Sequence, residues 1–94
     1  MGLSETLKAI SDPRRREILE MLRDGRRPAG EIAERFELSN ATVSHHLSLL
    51  RKADLVSVSR EGTYVYYELN TSVFEDVLRW IYELGGVRDE DHAE

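Results

Sequence analysis

"SNATVSHHLSLLRKADL", residues 39–55, decides how this chain is read. It places apolar residues at helical spacing behind a serine and sets Ser44 directly before His45 and His46. With about 100° per residue and Val43 as zero, Leu47 falls at about 40° and Leu50 at about 340°, which predicts one buried stripe. His46, at about 300°, borders that stripe, whereas Ser44 at about 100°, Ser48 at about 140° and His45 at about 200° share the outward half. Leu49, at about 240°, fits neither side and is expected to pack against the hairpin that follows.

The serine and histidines fail the geometric requirements of catalysis. A serine nucleophile needs a base within hydrogen-bond reach and a third group to orient that base. Adjacent helical residues diverge by about 100°, and no acid lies one turn from His45. Helical metal ligands sit three or four residues apart, which two neighbouring histidines do not. GxSxG, HExxH and phosphate-binding glycine loops are absent from the sequence, so neither enzyme activity nor a cofactor is expected. Recognition remains. Asn40 has the groups to read adenine bidentately, Thr42 to meet a thymine methyl, and Ser44 or His45 to donate to a base or phosphate. A merely solvated polar helix face has the same composition, so residue chemistry leaves both readings open.

On the N-terminal side, Leu3, Leu7 and Ile10 recur at helical spacing until "SDP", where Asp12 suits a cap and Pro13 the first position of a second helix. That helix turns Ile18, Leu19 and Leu22 inward and closes near Gly25, expected in a left-handed conformation. Arg14, Arg15 and Arg16 occupy its first turn, where the helix dipole disfavours cations. Pairing of Arg14 with Glu17 or Arg16 with Glu20 is the expected compensation. Pro28 opens a third helix with Ala29, Ile32, Ala33 and Phe36 on one face. "ELS", 37–39, then leaves a three-residue turn, and Ser39 caps a fourth helix to about Ala53. The expectation is helix, turn, helix.

On the C-terminal side the period changes. "LVSVSREGTYVYYELN", 55–70, alternates Val56 and Val58, then Tyr64 and Tyr66, around a tight turn at Glu61 and Gly62. This hairpin, about 55–69, forms a wing whose Arg60 can hold a phosphate or enter the minor groove, with Glu61 opposing that contact. Arg51 and Lys52 supply further phosphate-binding charge. A last helix from Thr71 or Ser72 to Leu84 carries Val73, Phe74, Val77, Leu78, Trp80, Ile81 and Leu84 on more than one face. One face can pack on the domain, and the excess requires a partner. Val73, Val77, Leu78 and Ile81 are the expected dimer contacts of this helix.

Ninety-four residues make one domain, here 1–84, followed by an acidic tail over 85–94 that is expected to be disordered. The chain has no cysteine, which excludes disulfides and thiolate metal sites. Its net charge of −5 argues against a polyanionic partner, but Arg88 against Asp89, Glu90, Asp91 and Glu94 places −3 of it in the tail. From Ser39 to Arg60 the balance is positive, with Arg51, Lys52 and Arg60 against Asp54. No stretch has the apolar length of a signal peptide or a bilayer span, and the cytoplasm is the expected location.

"LKAISDPRRREILEML", "AGEIAERFELSNATVSHHLSLLRKADLV" and "SREGTYVYYELN", in that order, resemble the ArsR family of bacterial winged-helix repressors, and more closely its SdpR-like branch. The resemblance spans about residues 3–84, with "SHHL" and "REGTYVYY" its most specific parts. It implies a mainly α fold with a small β-hairpin: a winged helix-turn-helix of five helices plus a two-stranded wing. It further implies a homodimer joined through the first and last helices, with Leu3 and Leu7 as contacts of the first, on a palindromic double-stranded DNA operator. Carried over by position, Ser39, Asn40, Thr42, Ser44 and His45 meet DNA, with Arg60 in the wing. The family's cysteine-based metal sites cannot exist here. In its zinc pattern Asp76 matches, Leu78 replaces the second ligand, and Asp89 and His92 fall only roughly at the distal positions, so no metal site is assigned. A metal-responsive repressor and a winged-helix protein-interaction module without DNA binding stay as alternatives, and the inducer or protein anti-repressor is unidentified.

Overall fold

The computed structural model describes residues 2–85, so the tail from 86 to 94, with Asp89 and His92, lies outside the described residues. Among the described residues the elements run α1 (Leu3–Ile10), α2 (Pro13–Met21), β1 (Arg27–Pro28), α3 (Ala29–Phe36), α4 (Asn40–Lys52), β2 (Val56–Glu61), β3 (Tyr64–Leu69) and α5 (Thr71–Glu83). No helix among them is long and apolar enough to cross a membrane.

The local chemistry of the helix ends sets the chain's path. Asp12 caps α2 by accepting from the backbone N–H groups of Arg14 and Arg15, with Pro13 in the first turn, where its missing N–H costs nothing. Ser39 caps α4 by accepting from Thr42 N. α3 and α4 close in the same way: Leu38 N donates to Ala33 O and Glu37 N to Glu34 O, and Leu55 N donates to Leu50 O and Asp54 N to Arg51 O. These are Schellman pairs, and they force the left-handed conformation on the intervening residue, here Glu37 (φ 56°) and Asp54 (φ 60°). The closure reverses the chain within three residues, so α3 leads directly into α4. α2 instead passes into a short 3-10 turn over Leu22–Asp24, and Gly25 takes the positive φ expected of it, at 138°, but with ψ 173° it lies outside the helical left-handed well, in a region that essentially only glycine adopts.

A third strand was not legible in the sequence. Arg27 and Pro28 pair with Tyr67 and Tyr66, giving an antiparallel sheet in the order β1-β3-β2. Pro28 opens α3 as its N-cap, as expected, and also lies in an edge strand, where a residue without an N–H is tolerated and where it biases Arg27 towards extended backbone. β2 and β3 pair from Val56↔Leu69 to Glu61↔Tyr64, leaving Gly62 and Thr63 as the two-residue turn. Gly62 has φ 62° and Thr63 does not share that sign, the pattern of a type II′ turn.

The core gathers one face of every helix: Ile18, Leu19 and Leu22, Ile32 and Ala33, Val43, Leu47 and Leu50, closed by Leu55, Val56 and Val73. Thr6 is buried among them, its hydroxyl donating to Gly2 O. Asn70 joins the two ends of the sheet region, its N–H donating to Leu55 O and its side-chain amide to Asp54 O. That fastening ties the start of α5 to the end of α4.

Candidate nucleic-acid interface

α4 divides as its spacing predicts. Val43, Leu47 and Leu50 are buried, His46 is half-buried, and Asn40, Ala41, Thr42, Ser44, His45, Ser48, Arg51 and Lys52 are exposed. Ser39 and Thr42 spend part of their bonding capacity on the cap, because Ser39 Oγ also donates to Thr42 Oγ1 at 2.9 Å. Among the described residues Asn40, Ser44, His45 and Ser48 are exposed and form no side-chain hydrogen bond, so their donors and acceptors are open to solvent. Between α4 and the wing lies an open groove of about 370 Å³ lined by Ser44, Leu47, Ser48, Arg51, Lys52 and Tyr67. Leu49 departs from expectation: it lines a cleft with Ala9, Ala53 and Lys8 on the α1 side, not the hairpin, because α1 rather than β2 covers that flank of α4.

The two histidines serve different surroundings. Their ring centroids are 6.1 Å apart, yet His45 faces solvent while His46 Nδ1 lies 3.4 Å from Arg15 Nη1. Burial pushes the His46 pKa below its ordinary value, the nearby Asp12 carboxylate opposes this, and the Arg15 guanidinium reinforces it. Asp12 is itself held below the usual carboxylate range, chiefly by the Arg15 backbone N–H. Arg15 and Arg16 explain the unfavourable cations in the first turn of α2. Arg15 Nε donates to Ala9 O at 2.7 Å and Arg16 Nη1 to Ile10 O at 2.8 Å, so both arginines satisfy the free carbonyls that end α1. Arg14 pairs with Glu17 at 2.9 Å as expected, whereas the expected Arg16–Glu20 pair is replaced by this capping.

In the wing, period-two alternation separates two faces. Val58, Arg60, Val65 and Tyr67 share one, and Ser59, Glu61, Tyr64 and Tyr66 the other. Arg60 is exposed near the turn. A residue not singled out by the sequence, Arg26, lies across the second face: its guanidinium is 2.9 Å from Glu61 Oε1, 3.5 Å from Ser59 Oγ and 4.1 Å from the Tyr66 ring centre. Sequence pattern could not reveal this, because it depends on β1 aligning beside β3.

The surface formed by α1 and α5 is apolar and open. Leu78 is 64% exposed, Ile81 47% and Leu84 68%, with Leu3, Leu7, Trp80 and Tyr82 also exposed. Val73, expected at a dimer interface, is only 4% exposed and belongs to this chain's own core, because α5 turns it inward at its first turn. Val77 is half-buried and lines an apolar groove of about 180 Å³ with Leu3, Thr6, Val73, Asp76 and Trp80. Asp76, the one candidate metal ligand among the described residues, pairs with Arg79 at 3.0 Å.

Comparison with known proteins agrees with this geometry. The family described as "Bacterial regulatory protein, arsR family" matches residues 12–58. The transcriptional repressor SdpR of Bacillus subtilis is 43% identical over 89 residues, covering 95% of this chain and 99% of its own. The arsenical resistance operon repressor of Staphylococcus aureus is 36% identical, covering 82% of this chain and 74% of its own. A homodimeric winged helix-turn-helix DNA-binding domain from Mycobacterium bovis superposes with a TM-score of 0.74 at 27% identity, covering 90% of this chain and 82% of that one. A three-residue turn feeding a capped helix with an unspent polar face, a hairpin wing beside it, and relatedness over nearly the whole length lead to one conclusion: this chain is a winged helix-turn-helix member of the ArsR family of bacterial regulatory proteins, not an enzyme.

Proposed function

We propose that this protein is a homodimeric transcriptional repressor that binds a palindromic operator, with α4 in the major groove and the β2–β3 wing on the flanking backbone or minor groove. The observation that carries this is the outward face of α4. Asn40, Ser44, His45 and Ser48 are exposed side chains with unspent hydrogen-bonding groups on a rigid, capped helix whose other face is sealed in the core. Such a face suits base edges, where small polar groups discriminate without steric conflict. Ser39 and Thr42 sit at the helix entrance, and Arg51, Lys52 and Arg60 flank the face as phosphate-binding cations. The net charge of −5 does not oppose this, because phosphate contacts act over about one Debye length, roughly 8–10 Å.

Dimerisation through α1 and α5 places two copies of α4 on one face of the duplex, with half-sites one helical turn, about 34–36 Å, apart. Leu3, Leu7, Val77, Leu78 and Ile81 supply the contacts. Selection of bound sequences from random duplexes tests the proposal: a palindrome should be enriched, and Arg60→Ala should lower the slope of log affinity against log salt. Enrichment of nothing would overturn it in favour of a winged-helix protein-interaction module.

A further inference from the structure

We infer that Arg26 is a positioning residue of the wing, which masks the charge of Glu61 so that Arg60 can meet a phosphate; this rests on the proposed DNA binding. Glu61 directly follows Arg60 at the end of β2, and an uncompensated carboxylate there would meet the same phosphates that Arg60 attracts. The hairpin separates the two by its alternation. Arg60 pairs across from Val65 on one face, while Glu61 stands with Ser59, Tyr64 and Tyr66 on the other.

Arg26 precedes β1, at the outer edge of the sheet, and its side chain lies over that second face. Its position gives it three partners on both wing strands: Glu61 at 2.9 Å, Ser59 at 3.5 Å and the Tyr66 ring at 4.1 Å. The contact with Tyr66 is close enough for a cation–π interaction, and tilted against Tyr66 lies Tyr64, 6.1 Å away between ring centres. The guanidinium thus rests over an aromatic face while one of its N–H groups meets the carboxylate. The pair is exposed, so it adds little to folding stability. Its consequence is electrostatic: the wing tip presents Arg60 without an adjacent free anion. The strand β1 that brings Arg26 into place thereby acquires a role beyond completing the sheet.

Operator binding by the full chain, measured across a salt series, tests the inference with Arg26→Ala and the double variant Arg26→Ala/Glu61→Gln. Arg26→Ala should keep its melting temperature and weaken binding about five-fold per subunit at low salt, about 25-fold for the dimer, each subunit's share being the worth of one unit charge a few ångströms from a phosphate in water. The double variant should recover to within about two-fold of the wild type, and both should keep the wild-type salt slope, because the number of phosphates neutralised is unchanged. Recovery cannot come from restored packing, since the double variant lacks every Arg26 contact. Wild-type affinity in Arg26→Ala would overturn the inference while leaving the proposed function intact. A double variant as weak as the single one, with a slope lower by about one per subunit, would overturn it too by making Arg26 itself a phosphate contact. If the wild type binds no duplex, the functional reading fails and the inference with it.

Discussion

α4 and α5 are both thirteen residues long, yet the fold completes only one of them. α4 buries Val43, Leu47 and Leu50 within its own chain and turns only one large apolar side chain, half-buried Leu49, away from the core. α5 buries Val73 alone and leaves Leu78, Trp80, Ile81 and Tyr82, with Leu84 at its C-terminal cap, in the open. The difference separates two kinds of unfinished surface. A polar face is stable in water and binds only what offers matching hydrogen bonds, whereas an apolar face is driven to any surface that removes it from water. On the proposed function, specificity belongs to α4 and assembly to α5.

The largest effect should come from the sealed side of α4. Leu50→Ala removes a side chain that is fully buried and should destabilise the fold by about 2–5 kcal/mol, read by chemical denaturation. A loss as small as that of an exposed position would break the comparison, because α4 would then not be held by the core. On α5, Leu78→Arg should leave the monomer folded but place a charge in the proposed dimer contact, shifting sedimentation equilibrium from dimer to monomer at micromolar concentration. A monomeric wild type would show that water tolerates the face.

The adjacent histidines give a finer test. His45→Ala should retain stability and weaken specific operator binding by about 1–3 kcal/mol, the range of a good base contact. His46→Ala should instead lower thermal stability, since it removes the partner of Arg15 at the α1–α2–α4 junction. Exchange of these two outcomes would show that the rotation assigned to α4 is wrong.

The smallest expected effect is a dependence on pH. Because His46 has its folded pKa below 6.5, its contribution to stability is complete above that pH and is lost as pH falls towards the depressed value. Asp12, also depressed, loses its contribution only at lower pH, below its ordinary 3.8 and through its folded value. Melting temperature of the wild type should thus decline first just below pH 6.5, and His46→Ala should lack that first decline. An identical pH profile in the variant would detach the histidine from the junction.

How much was legible in advance follows from the range of the interactions. The caps at Asp12 and Ser39, the burial of Val43, Leu47 and Leu50, and the exposure of Ser44 and His45 depend on contacts within a few residues, which local sequence encodes. The same periodicity exposed the surplus apolar surface of α5, although it could not separate Val73, enclosed by its own chain, from Leu78, which is not. What only the tertiary structure decided involves partners far apart in the chain. Arg27 and Pro28 become a strand because Tyr66 and Tyr67 lie beside them, and Leu49 faces α1 because that helix, not the hairpin, covers its flank. Arg15 and Arg16 settle on the carbonyls of α1 once the two helices meet at an angle that aligns them. The sequence by itself determined which residues form the helices and which side of α4 remains polar, since backbone geometry repeats every few residues. Tertiary structure determined which charges find each other, since Arg26 reaches Glu61 only after the sheet has aligned strands that are distant in the chain.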